Sequence, residues 1–133
     1  MDNTINEPTT PTGGKKEPLL AAIGSFIFPG LGQVYNGEGM LKGLMYLIGT
    51  LIGSLIFILP GLAIWLYGIF NAYKVADKMK SGIIPVKGTT TANLIIFVVI
   101  SLVIDFIFGL LLMIVAFILF AFVYGISSST GYY

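Results

Sequence analysis

The chain contains no histidine, no cysteine and no arginine. Without cysteine there are no disulfides and no thiol chemistry. With histidine missing as well, haem and iron–sulfur ligation and the usual zinc sites are excluded. The commonest general base is gone too, and no cofactor is implied. All seven cations are lysines, so no planar guanidinium is available for a bidentate phosphate or carboxylate clamp. Charge is the next shortage: 10% of the 133 residues are charged, against about 25% in soluble domains. A soluble fold of this size has to cover much of its surface with polar side chains, and seven lysines with six acids cannot do that here. The net charge of +1 leaves no electrostatic footprint for nucleic acid, which is not expected as a partner.

What is present is apolar: 56% of the residues are hydrophobic. The composition predicts an all-α integral membrane protein with the bilayer as its first partner. Residues 1–18 are polar and rich in proline, and read as a disordered tail. A signal peptide is the competing reading, since Lys15 and Lys16 precede an apolar run. Against it, that run ends at Pro29-Gly30 rather than at a small-residue cleavage site, and the segment before it is acidic as well as basic.

Four apolar segments follow. The first spans residues 19–28 and resumes after Pro29-Gly30 through residues 31–35. The second, 43–59, and the third, 62–76, are short spans joined at Pro60-Gly61 as a helical hairpin. The fourth, 94–123, contains a single charge, Asp105. It is longer than the roughly 20 residues a span needs; it should tilt or project, or break into two half-helices at Gly109. Since irregular backbone cannot face lipid, all four should be helical. Residues 81–93 form a polar linker with Gly82, Pro85 and Gly88 as breakers and Asn93 or a threonine as helix cap. The expected organisation is a tail (1–18), a membrane module (19–80), a cytoplasmic linker (81–93) and a long transmembrane helix with a short polar end (94–133).

The lysines carry the topology. They collect on the cytoplasmic side of span ends, and they stand at 15, 16, 42, 74, 78, 80 and 87. If the first segment crosses fully from a cytoplasmic N-terminus, five of the seven fall outside. If it dips in and returns at Pro29-Gly30-Leu31-Gly32, all seven are cytoplasmic. The expectation is three spans plus a re-entrant half-span in the cell membrane, N-terminus cytoplasmic and C-terminus outside, with four spans as the alternative.

Three groups of residues are candidates for more than span formation. Asp105, with Ser101 one turn earlier, is an intramembrane polar site; a charged Asp at mid-bilayer costs about 2.5–3.5 kcal/mol on insertion scales, so such a residue is there for a reason. It reads as a protonated acid bonded to Ser101 or to another helix and holding an oligomer together, as a proton or cation relay, or as a water-exposed position. The turn made by Pro29, Gly30, Gly32, Gln33, Tyr35 and Asn36 reads as a re-entrant turn with Tyr35 at the interface, or as a head-group or small-solute site. Glu38 and Lys42 are spaced to pair at the start of the second span. Gly49 and Gly53 form a GxxxG packing face, with this chain's own helices or a second copy as partner. Lys74, Lys78 and Lys80 read as a snorkelling helix end, too few for a dedicated anionic-lipid cluster.

The stretches PGLGQVYNGEGMLKG and YGIFNAYKVADK, flanking the hairpin, resemble the two-transmembrane (TM-two) domain family and its prokaryotic relatives over residues 19–80. In that family a Gly-rich turn closes the first apolar segment, an aromatic-Asn/Leu-Gly step and a Lys-Gly start lead into the next helix, and an acidic residue followed by Ala-Tyr closes the module. Asn71 stands at the acidic position here. The resemblance implies a small integral membrane protein and no catalytic residues. A structural or accessory role through oligomerisation or a membrane-protein partner is therefore expected. The alternative is a small transporter or channel subunit using Asp105. An enzyme is not expected, since only Asp105, Glu38 and Gln33 are available to build a site.

Overall fold

A computed structural model describes residues 15–129, and these are helical with no strands. Five helices follow in order: α1 (Pro18–Ile27), α2 (Leu31–Tyr35), α3 (Met40–Ile56), α4 (Ile58–Lys80) and α5 (Thr91–Ser129). The chain forms two compact units, Met1–Val99 and Ile100–Tyr133. Of the expected N-terminal tail, residues 1–14 lie outside the described residues. The rest is placed: Pro18 occupies the first turn of α1, where its missing N–H costs nothing, and Lys16 is buried.

Within the first unit, each break has a local cause. Pro29 cannot continue α1, and Gly30 takes φ +94°, a left-handed conformation that costs glycine nothing. The chain then reverses. Gly32 of α2 lies so close on α1 that a Cβ there would sit 2.1 Å from the Ala21 carbonyl oxygen and 2.7 Å from the Ala72 Cβ of α4. Gly37 and Gly39, at φ +71° and +101°, turn the chain again into α3.

The hairpin between α3 and α4 closes on one extended residue, Phe57. The sequence reading put this turn at Pro60-Gly61. Pro60 instead sits in the first turn of α4, where an N–H has no intrahelical acceptor to lose. Gly61 provides the close approach at the hairpin: it meets Gly53 with a Cα 2.9 Å from where a Cβ on Gly53 would stand. Gly49 faces Ile64 of α4 at an ordinary 3.6 Å. The GxxxG face is thus taken up by this chain's own α4.

The interior mixes small residues with a few large ones. The buried hydrophobics among the described residues are Ala21, Val34, Leu47, Ala72, Ala76, Met79 and Phe97, and Ala21, Ala72 and Ala76 form one cluster with Tyr35 against it. Most of the large apolar side chains point outward, among them Leu19, Phe26, Leu41, Ile52, Phe57 and Ile58.

The last helix, α5, runs 39 residues, or roughly 58 Å at 1.5 Å per residue. Thr90 caps it, its Oγ1 accepting the Asn93 N–H at 3.3 Å. The helix is continuous through Gly109 and takes in Ser127 to Ser129, residues read from sequence as part of the polar end. The remainder of that end, 130–133, lies outside the described residues. Two helices, Ile58–Lys80 and the segment Thr91–Ser128, are long and apolar enough to cross a membrane.

Candidate functional site

The most elaborated region is the reversal from α1 into α2. Six side chains around it, those of Lys16, Ser25, Gln33, Tyr35, Asn36 and Trp65, hydrogen-bond to backbone groups. Ser25 Oγ accepts the Gly32 N–H at 3.0 Å and donates to Gln33 Oε1 at 3.1 Å. Gln33 Nε2 donates to the Gly68 carbonyl at 2.8 Å, and Asn36 Nδ2 to the Ala72 carbonyl at 2.8 Å. Both acceptors lie in the body of α4, and a carbonyl oxygen has a second lone pair to offer. Gln33, Asn36 and Ser25 are all buried, where an unmade hydrogen bond costs about 1–3 kcal/mol. The Trp65 indole N–H reaches back from α4 to the Ser25 carbonyl at 3.2 Å, in the last turn of α1, and its ring packs on Phe26 with centroids 5.1 Å apart.

The reversal ends where it began. Lys16 Nζ donates to the carbonyl of Tyr35, the last residue of α2, at 2.6 Å. The Tyr35 hydroxyl accepts the Glu17 N–H at 3.2 Å. The Lys16 ammonium also sits 4.7 Å from the Tyr35 ring centroid. Burial pushes the Lys16 pKa down from its ordinary value. Glu17 pairs with Lys80, at the end of α4, at 3.0 Å. A Cβ on Gly37 would come within 2.7 Å of the Lys87 Cβ, so the linker passes there too. Lys16, Lys80 and Lys87 therefore share one end of the first unit with residues 35–37. Lys42 pairs with Glu38, the pair expected from the i,i+4 spacing.

All six turn residues singled out in the sequence thus belong to this one structure, with Gly30 and Gly32 allowing the approach and Gln33, Tyr35 and Asn36 bonding it. Lys16, Ser25 and Trp65 were missed. The signal for Lys16 is its place directly ahead of the apolar run, where the polar composition reads as the end of a tail. Nothing local marks Ser25 or Trp65, since their partners lie 8 and 40 residues away.

Asp105 and Ser101 belong to the second unit. Ser101 is buried and its Oγ has no partner, so the expected hydrogen bond between the two is not made. Asp105 is half-buried, and the residues one turn away on its face besides Ser101 are Leu102, Phe108 and Gly109. Among the described residues no cluster of carboxylates could hold a metal ion.

No family model matches the chain, and no curated protein or solved structure is significantly similar to it.

Proposed function

We propose that the chain is a small integral membrane protein of the cell membrane, with α3, α4 and α5 as spans and α1–α2 as a re-entrant half-span, acting in a structural or accessory, non-enzymatic role through helix–helix association. The observation that carries the reading is the bond from Lys16 to the Tyr35 carbonyl: the first apolar segment returns to the level at which it started. With Lys80 and Lys87 beside it, a cytoplasmic N-terminus keeps every lysine on one side. The Phe57 turn and the C-terminus then face outward.

Further support comes from the side-chain distribution. Most large apolar groups lie on the outside, and small or polar residues take up much of the inside, the reverse of a fold driven by water. Interfaces of glycine, alanine and serine joined by amide hooks are how helices associate where lipid already solvates the apolar surface. The resemblance to the two-transmembrane domain family over residues 19–80 belongs to the same reading. The apolar neighbours of Asp105 favour a helix-association role for it over a wetted path, in this chain's oligomer or against another membrane protein.

The absence of native cysteine makes the topology directly measurable. Ser81→Cys and Ser128→Cys, each alone, should react with an impermeant thiol reagent from opposite sides of sealed vesicles. Reaction of both from one side overturns the three-span arrangement. Asp105→Asn should loosen oligomers in mild detergent; loss of an ion leak in proteoliposomes with assembly intact would replace the accessory role with transport.

A further inference from the structure

The first unit contains a partly open apolar cleft of about 420 Å³, lined by Leu20 and Gly24 of α1, Leu31 and Tyr35 of α2, and Leu94 and Val98 in the first turns of α5. Tyr35 links this cleft to a charge. Lys16, 5% exposed, stands over the Tyr35 ring. Its ammonium has three donors, of which one is used on the Tyr35 carbonyl. Among the described residues no carboxylate pairs with it; the adjacent Glu17 is engaged by Lys80. A buried ammonium without a counter-ion calls for an anion, and the cleft beside it calls for a chain of methylenes.

We infer that the cleft takes one acyl chain of an anionic membrane phospholipid whose phosphate accepts hydrogen bonds from Lys16. The inference rests on the membrane reading above and adds a ligand to it. The phosphate supplies the missing negative charge, and the acyl chain covers apolar wall that would otherwise be exposed at the junction of α1, α2 and the start of α5. Lys16 supplies the head-group preference and the cleft supplies the affinity shared by all two-chain lipids.

The test uses the full chain in mild detergent, titrated with phosphatidylglycerol or with phosphatidylcholine of the same acyl chains, bound lipid being counted by native mass spectrometry. Wild type should retain phosphatidylglycerol roughly tenfold more tightly, because the choline of phosphatidylcholine cancels the phosphate charge that would face Lys16. Lys16→Gln, which keeps a donor for the Tyr35 carbonyl, should reduce that preference to within about twofold. Lys15→Gln removes the same charge from an exposed neighbour and should leave the preference intact. Val98→Trp fills the cleft without touching Lys16 and should weaken both lipids. Equal losses in Lys15→Gln and Lys16→Gln mean diffuse surface charge and overturn the inference, as does unchanged binding in Val98→Trp. A wild type that binds both lipids equally overturns the inference and leaves the membrane reading standing. One that is monodisperse without detergent and binds neither overturns both.

Discussion

The region from Ile100 onward is more uniformly apolar than the region from Pro18 to Lys80, and the two are specified by different means. In the Pro18–Lys80 region, backbone meets backbone at Gly30, Gly32, Gly53 and Gly61, and amide side chains bond carbonyls on other helices. In the region from Ile100, nothing lies within 4 Å of where a Cβ on Gly109 or Gly125 would be, and side chains from Phe106 to Val123 are apolar all round the helix. Such a helix needs only composition and an apolar surrounding to persist. The difference teaches where single changes matter: one methyl can break the Pro18–Lys80 region, while the region from Ile100 should tolerate almost any apolar exchange.

Glycine gives the sharpest contrast. Gly30→Ala puts a Cβ 2.0 Å from the Gly43 carbonyl oxygen at φ +94°, and should cost about 3–5 kcal/mol. Gly109→Ala should be neutral or stabilising by up to about 1 kcal/mol. Detergent-unfolding curves followed by the fluorescence of Trp65, the one tryptophan, would record the first, and helical circular dichroism the second. Equal effects would mean that close backbone contact does not set the Pro18–Lys80 region apart.

Polar side chains should separate the regions less widely. Gln33→Met removes the bond to the Gly68 carbonyl and takes away the acceptor of the Ser25 hydroxyl, which keeps only the Gly32 N–H, at a cost of about 1–2 kcal/mol. Ser101→Ala removes a hydroxyl that has no partner and should change stability by less than about 0.5 kcal/mol. The same unfolding curves decide it; a larger loss in the alanine variant would mean that the Ser101 hydroxyl is bonded after all. Smallest of all should be Glu17→Gln. Both partners of its ion pair with Lys80 are nearly half exposed, so the loss should stay within about 0.5 kcal/mol and vanish in high salt.

The two regions also differ in how much could be read from sequence. The long last helix follows from composition, and its cap from a threonine ahead of an apolar run. The reversal at Pro29-Gly30 is legible because proline ends a helix and glycine permits the left-handed turn. The hairpin tip is not: Pro60 looks like punctuation, yet the first turn of a helix accepts proline, so the break falls three residues earlier at Phe57. Lys16 was lost in an apparent tail because its acceptor, the Tyr35 carbonyl, lies 19 residues away. The hooks from Gln33 and Asn36 to α4 span 35 and 36 residues. Residue type showed that these amides need partners, but only the packing of α2 on α4 decides which carbonyls they find.

The placement of every lysine on one side requires the first apolar segment to come back to its starting level. Single cysteines at Lys15 and Met40 bracket that segment in a chain with no other thiol. An impermeant reagent applied to one side of sealed vesicles should modify both from the same face. Modification from opposite faces would mean that the segment crosses the bilayer, and would contradict the arrangement of every lysine described above.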